Sequence, residues 1–343
     1  MNSRDVHLLS AGTMLPGPVI DNATVGAYFR MGPVWEQWVD AFVGTRGRHL
    51  VVDLETGEVR YRLADIAARA AANALAAAGV AAADVDVVVL ATSTPDQLMP
   101  ATVNLVAEQL GIDQIPTYQL QSGCTGAVQA LDVARQMLLA GTHRTALVIG
   151  GDVCAKHLDL SMDVSALPPA QQVGVMLFGD GAGAAVLGVE PAPGSAVLRR
   201  TMVRLVGLNR RPGHVVEWFG LADRHGDQPA GGEDYAAIEQ HVPAMAAEVL
   251  GELLADLDWK NDELDYLLPP QLSGRMTEKI VAGLDVPGAQ EVSCVAQTAN
   301  TGNALPFFQL ERVLPLLAQG DRALGVTIES SKWIEAGFAL ERV

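Results

Sequence analysis

Cysteine, aromatic residues and positive charge are all scarce in this chain of 343 residues. Its three cysteines, Cys124, Cys154 and Cys294, are far apart and form no CxxC pair, which argues against a disulfide framework and a zinc site. No apolar run approaches the ~20 residues of a membrane-spanning helix, and the first residues lack a signal-peptide pattern. We therefore expect a cytoplasmic protein without membrane contact.

The charge balance excludes a further class of function. Lys and Arg total 23 against 40 Asp and Glu, a net charge of −17. A field of that sign repels phosphate backbones, so general nucleic-acid binding is not expected.

The residues that are present predict an α/β protein. Apolar residues make up 49% of the chain, and buried-strand patterns at 86–91, 117–121 and 145–150 alternate with helical patterns. The same rhythm recurs after a seam at 191–194. We predict a mainly parallel sheet covered on both faces, with one half at residues 1–190 and a similar half at 191–343.

Cys124 is the first candidate for chemistry. The segment Ser122-Gly-Cys-Thr-Gly126 joins a predicted strand to a helix that runs from Cys124 to about residue 140. Unpaired N–H groups at a helix start favour a thiolate, and the flanking glycines let a substrate approach. The alternative is an inert buried cysteine, which is how we interpret Cys154 and Cys294.

Two motifs resemble the thiolase superfamily, in particular the type-III β-ketoacyl-acyl-carrier-protein synthases and their acyltransferase relatives. The first is the segment around Cys124, which matches the family's nucleophile elbow. The second is Phe178-Gly-Asp-Gly-Ala-Gly-Ala-Ala-Val186, which leads into a strand and is therefore not a phosphate loop. The resemblance covers nearly the whole chain. It implies a thiolase fold with two similar βαβ-rich halves in a layered αβαβα core, a homodimer, and Cys124 as the acyl-carrying nucleophile.

Family members add a His and an Asn to the cysteine. The block Ala299-Asn-Thr-Gly-Asn-Ala-Leu-Pro306 places Asn300 on the family's asparagine. Where the family has its histidine this chain has Pro270, whose side chain neither donates nor accepts a hydrogen bond. In condensing relatives the His and Asn stabilise the enolate that forms as carbon dioxide leaves. The loss of the histidine in this chain therefore favours simple acyl transfer.

The resemblance also implies an oxyanion pocket built from backbone N–H groups. One N–H belongs to Cys124 and the other, by position in the C-terminal segment 327–335, to Ser331. Serines replace family glycines in this turn. Glu329, beside it, is interpreted as a structural carboxylate, with a substitute base as the alternative.

Histidines and arginines outside these motifs give weaker signals. Of the seven histidines, His214 and His225 are the best candidates for a base, because they lie in a predicted loop between the halves. A basic cluster offers docking for a phosphopantetheine or a carrier protein, with a solvated charged face as the alternative: Arg199, Arg200, Arg204, Arg210, Arg211 and Arg224.

These observations predict an acyltransferase of specialised, polyketide-like metabolism. We expect it to move an acyl group from an acyl-carrier-protein or CoA thioester, through acyl-Cys124, to a small-molecule acceptor. No metal or resident cofactor is expected. A decarboxylating ketosynthase and a non-catalytic binding relative remain as alternatives.

Overall fold

A ten-stranded sheet organises the protein, whose computed structural model describes residues 5–218 and 231–343. The strands are β1 (His7–Met14), β2 (Val87–Thr92), β3 (Thr117–Gln121), β4 (Thr145–Asp152), β5 (Gly181–Gly188), β6 (Ala196–Leu205), β7 (Tyr266–Leu268), β8 (Gln290–Glu291), β9 (Arg322–Glu329) and β10 (Ile334–Glu341). Their spatial order is β3-β2-β4-β5-β1-β6-β10-β9-β7-β8.

The two halves of the sheet repeat the same pattern. Strands β1–β5 stand in the order 3-2-4-5-1, and β6–β10 stand in that order as well, each strand matching the one five places earlier. In both halves the outer three strands are parallel and the inner pairings antiparallel. The prediction of a mainly parallel sheet was therefore wrong, because the strands nearest the centre pair antiparallel. The halves join where His7 and Leu8 of β1 pair with Val197 and Ala196 of β6. The boundary at residue 190 stays a prediction.

Helices fill the spaces around these strands. They are α1 (Asn22–Tyr28), α2 (Pro33–Phe42), α3 (Leu63–Ala78), α4 (Thr102–Leu110), α5 (Gly126–Leu139), α6 (Pro169–Leu177), α7 (Tyr235–Leu257), α8 (Gly274–Ala282), α9 (Val295–Thr298) and α10 (Leu305–Val313). Short 3-10 turns cover Ala82–Asp84, Cys154–His157, Val164–Ala166, Asn261–Glu263 and Gly302–Ala304. Two small two-stranded sheets pair Ile20–Asp21 with Gly47–Arg48 and His214–Val216 with Gly231–Glu233.

The layers follow from which helix faces are apolar. Helix α5 contacts strands of both halves. Residues of α5, of α10 and of strands from both halves share one hydrophobic core. Ala-rich α3 packs with α4 on the outer face of the first half, and α7 packs with α8 on that of the second. Small alanines allow this close approach of helix and sheet. The α/β class and the layered thiolase fold are thereby confirmed.

No helix within the described ranges is both long and apolar enough to cross a membrane.

Candidate active site

Parallel strands bring the candidate residues to one edge of the sheet. Strands β2, β3 and β4 run in the same direction, so their carboxyl ends meet. Cys124 follows β3, and Asp152 ends β4. In the second half the equivalent edge carries Pro270 after β7 and Glu329 at the end of β9. The site therefore forms where the carboxyl edges of the two halves face one another.

Cys124 lies in a tight turn before its helix. The N–H of Gly126 donates to the Gly123 carbonyl over 2.8 Å, and α5 starts only at Gly126, two residues later than predicted. The side chain of Gln129 donates to the Ser122 and Thr125 hydroxyls over 2.8 and 3.0 Å. These bonds fix the turn that places the partly exposed Cys124 just before the start of α5.

Asn300 lines the same pocket as Cys124. The pocket walls also include Pro269, Pro270 and Leu305. Asn300 is 1% exposed; its Oδ1 accepts the Gly302 N–H over 2.9 Å, while its buried Nδ2 has no hydrogen-bond partner among the described residues. Since a buried amide donor is costly to leave unpaired, Nδ2 is suited to a substrate oxygen.

The loop of Asn300 is held by the glycine-rich motif. The Asn300 N–H donates to the Leu177 carbonyl over 2.8 Å, and the Gly179 N–H donates to the Asn300 carbonyl over 3.1 Å. Asp180 of that motif accepts the N–H groups of Val51 and Ala155, and burial raises the pKa of its carboxyl to about 7. The glycine-rich motif and the residue before it thus fix the backbone of Asn300.

Pro270 lines the pocket beside Cys124 and Asn300, and its side chain offers no hydrogen-bond donor at this position. The neighbouring Gln271 lines the pocket as well. Its Oε1 accepts the N–H groups of Cys294 and Val295, while its buried Nε2 has no hydrogen-bond partner among the described residues.

A buried carboxylate that our sequence reasoning missed ties the two halves of the site together. Asp152 is fully buried, and its Oδ1 accepts bonds of 2.7 to 3.1 Å from the segment 92–94. Its Oδ2 accepts the backbone and side-chain N–H groups of Asn303 over 2.8 and 2.9 Å. Asn303 in turn donates to the Ser122 carbonyl over 2.9 Å. The only signal in the sequence was a second asparagine in the block of Asn300.

Both predicted oxyanion donors face one carboxylate. The Cys124 N–H donates to Glu329 Oε2, and the Ser331 N–H donates to Glu329 Oε1 over 2.8 Å. The structure therefore brings Cys124, Asn300 and the 329–331 turn together.

Opposing effects act on the Cys124 thiol. Burial, followed by the negative charges of Glu329 and Asp152, raises the pKa of the Cys124 thiol well above its ordinary value. Desolvation and the two carboxylates thus act against the helix start, which favours the thiolate.

This pKa predicts how Cys124 reacts with iodoacetamide. Because only the thiolate is nucleophilic, alkylation at Cys124 should keep rising up to at least about pH 9. Peptide mass mapping separates Cys124 from Cys154, whose pKa burial also raises. A plateau for Cys124 at neutral pH would contradict the prediction.

The other cysteines differ from one another. Cys294 is fully buried, as expected of a core residue, and burial raises its pKa to about 11. Cys154 is partly exposed in the turn after β4, and burial of its thiol raises its pKa.

Histidine supplies no base at this pocket in the part of the chain that the structure describes. His214 stacks on Phe178, with Nε2 3.7 Å from Glu233 Oε1, outside the pocket lining. His225 lies outside the described residues.

Three of the six arginines in the cluster form ion pairs. Arg199 pairs with Glu341 and Asp5, Arg200 with Asp256, and Arg204 with Glu335 and Glu252. Since these carboxylates already take their guanidinium donors, these three arginines favour a solvated charged face over a free docking patch. Docking at Arg210 and Arg211, which are exposed, stays a prediction. Arg224 lies outside the described residues.

A thiolase-fold enzyme whose pocket is lined by a cysteine and an asparagine is the class that this fold and pocket define, and comparison with known proteins names the family. Residues 118–203 match the family 3-oxoacyl-(acyl-carrier-protein) synthase III. The chain is 33% identical over 309 residues to the β-ketoacyl-(acyl-carrier-protein) synthase III of Rhodospirillum centenum, covering 89% of each protein. The chain belongs to this family of condensing enzymes.

Solved structures give the same result. AbyA1, a tetronic acid condensing enzyme, is 61% identical, with a TM-score of 0.95 and coverage of 98% of this chain and 99% of that one. The 3-oxoacyl-(acyl carrier protein) synthase III of Pseudomonas aeruginosa PAO1 is 26% identical, with a TM-score of 0.83 and coverage of 99% and 98%. Type-III ketosynthase-like enzymes are thus its relatives in both sequence and fold.

Proposed function

We propose that this enzyme transfers an acyl group from an acyl-carrier-protein or CoA thioester, through acyl-Cys124, to an acceptor without releasing carbon dioxide. The observation that carries the proposal is Pro270 in the pocket wall beside Cys124 and Asn300. A decarboxylating reaction needs strong stabilisation of the enolate, and loss of one oxyanion donor typically costs ~10²–10³-fold in rate. Acyl transfer to an acceptor whose own carbonyl groups stabilise the carbanion does not need an additional oxyanion donor.

The tetronic acid condensing enzyme at 61% identity suggests what the acceptor is. A tetronic acid is a five-membered lactone, and its assembly from two thioesters needs one carbon–carbon bond and one ester bond. We infer that a 2-hydroxyacyl group is carried on Cys124 and that a β-ketoacyl thioester is the acceptor. The acceptor carbon lies between two carbonyl groups, so it loses a proton without decarboxylation. This chemistry suits specialised polyketide metabolism.

The bonds balance in this scheme. The acceptor carbon attacks the acyl carbonyl, the bond from that carbonyl to Cys124 sulfur breaks, and the thiol is regenerated. The 2-hydroxyl then attacks the acceptor's own thioester, closing the lactone and releasing its thiol. The enzyme's residues position the groups, and the reaction needs no resident cofactor. We further propose that the enzyme works as a homodimer, as its family resemblance implies.

The test uses the wild-type enzyme with synthetic thioesters. A 2-hydroxyacyl thioester and a β-ketoacyl thioester should give one molecule of a 3-acyl tetronic acid and two of free thiol, without carbon dioxide, as followed by mass spectrometry. Decarboxylative condensation is the second candidate, because relatives such as that of Rhodospirillum centenum are named β-ketoacyl synthases. Labelled carbon dioxide released from a carboxyl-labelled malonyl thioester would favour it.

Asn300→Ala should slow transfer while Cys124 still becomes acylated. The change removes one neutral donor, which predicts a loss of roughly 10–10³-fold in the transfer step. Single-turnover measurement on preformed acyl-enzyme separates the two steps. Asn22→Ala, which alters a buried asparagine bonded to Asp40 and the Thr45 carbonyl away from the pocket, is the control. Equal transfer by Asn300→Ala and wild type would remove Asn300 from the site.

A further inference from the structure

Glu329 occupies the position where an acyl carbonyl oxygen is expected. It ends strand β9, is 3% exposed, and takes the N–H of Cys124 on one oxygen and that of Ser331 on the other. Two N–H groups that converge on one carboxylate form an anion site, the same arrangement that stabilises an oxyanion during acyl transfer. The donors cannot hold Glu329 and a substrate carbonyl at once.

The structure pairs Glu329 with no cation in the part of the chain that it describes. Among residues 5–218 and 231–343, no Lys, Arg or His lies within ion-pairing distance of Glu329. Glu335, which faces the same hairpin from β10, pairs with Arg204. A buried carboxylate without a cation depends on its hydrogen bonds, so the two N–H groups are its anchor.

The elbow is shaped to admit this carboxylate. A Cβ built on Gly123 would clash with the carboxylate of Glu329, so glycine at this position leaves room for the carboxylate where it lies. The pocket beside it holds about 50 Å³, room for one or two waters, whereas ligand pockets measure ~300–1,000 Å³. Its wall includes Thr327, Ile328 and Ser330 from the strand end that carries Glu329. Glu329 therefore covers the two N–H donors beside a narrow pocket.

We propose that Glu329 closes the oxyanion pocket of the free enzyme and, once the acyl group displaces it, accepts the proton of the acceptor during transfer. This inference rests on the proposed function and gives the site the base that Pro270 cannot supply. Movement of Glu329 frees the N–H groups of Cys124 and Ser331 for the acyl oxygen. The displaced carboxylate stays at the pocket because its backbone ends β9 there.

Every proton is accounted for in the acylation and transfer steps. During acylation, sulfur of Cys124 bonds to the donor carbonyl carbon, the donor carbon–sulfur bond breaks, and the thiol proton of Cys124 leaves with the donor thiol. During transfer, Glu329 takes the proton from the acceptor carbon, whose electron pair bonds to the acyl carbon. The bond to Cys124 then breaks, and the departing thiolate takes the proton back from Glu329.

The closing role is tested by alkylation without any substrate. Glu329→Gln removes a negative charge beside the thiol, so Cys124 should react with iodoacetamide roughly 10-fold faster or more at pH 8. Glu335→Gln is the matched control, since it removes a buried carboxylate of the same hairpin that pairs with Arg204; its Cys124 should react at the wild-type rate. An unchanged alkylation rate in Glu329→Gln would overturn the closing role.

The proton-accepting role is tested on preformed acyl-enzyme. Glu329→Gln should acquire the acyl group at least as fast as wild type, yet transfer it roughly 10²–10⁴-fold more slowly. Formate should restore transfer to Glu329→Ala, which a purely structural role does not predict. Wild-type transfer rates in Glu329→Gln would overturn this role.

The two proposals fail in different ways. If wild-type enzyme is never acylated at Cys124 or releases carbon dioxide from a malonyl thioester, the proposed function is wrong. If wild type forms the tetronic acid and Glu329→Gln does so equally well, the function stands and the role of Glu329 is wrong.

Discussion

Cys124→Ala should lose the acyl-enzyme completely and lower turnover by roughly 10⁴-fold or more, because no other group takes the place of a covalent nucleophile. Incubating wild type with its donor thioester should add one acyl mass to the intact protein, and hydroxylamine should remove it. The variant should show no such mass. The fold should survive, since the thiol is partly exposed and its removal leaves only a small void.

The matched control is Cys154→Ala. Cys154 is also partly exposed, follows the neighbouring strand β4, and has a pKa raised by burial and nearby carboxylates. It lacks the helix start and the converging N–H groups, so its variant should keep the full adduct. Acylation that persists in Cys124→Ala and disappears in Cys154→Ala would transfer the nucleophile to Cys154.

Asp152→Asn should damage both stability and catalysis. The amide replaces one of two acceptor oxygens with an NH₂ group, which then faces the donors of the segment 92–94 or of Asn303. Leaving buried donors unpaired costs about 1–3 kcal/mol each, so we expect a loss of roughly 3–5 kcal/mol in the free energy of unfolding. Denaturant unfolding at constant pH measures it.

The catalytic part follows from the link between Asn303 and the Ser122 carbonyl. A loosened elbow misplaces Cys124, and a displacement of about 1 Å costs ~10²-fold in rate. Asn303→Ala isolates this effect, because Asp152 keeps its donors from the segment 92–94. Asp86→Asn is the control: Asp86 accepts the N–H groups of Arg144 and Thr145 at the opposite end of the strands. Asp86→Asn should be less stable than wild type but should transfer the acyl group at the wild-type rate. An equal loss of transfer rate in Asn303→Ala and Asp86→Asn would contradict the link.

Much of the site was predictable because its signals are local. The elbow around Cys124, the block around Asn300 and the proline at position 270 each lie within a few neighbouring residues. Strand and helix patterns also depend on neighbours, so the α/β class and the repeated halves followed from the order of elements. The boundaries of β2, β3, β4 and α5 differ from the predicted ones by at most two residues.

The remaining features depend on residues far apart in the chain. Asp152 and Asn303 are 151 positions apart, and Glu329 lies 205 positions from the N–H that it accepts. No periodicity reports such a contact. The same holds for Arg199, Arg200 and Arg204, whose ion-pair partners could not be read from the sequence.

The sequence by itself determined the fold class, the nucleophile candidate and the missing histidine, because hydrophobic periodicity and turn chemistry act between neighbours. Only the tertiary structure decided what state the site adopts. It placed two carboxylates, Asp152 and Glu329, at the ends of equivalent strands of the two halves, β4 and β9. One orders the loops, the other covers the oxyanion donors, and together with burial they raise the pKa of Cys124. Charge and desolvation act through space, so their effect on the pKa of Cys124 depends on how the two halves pack together.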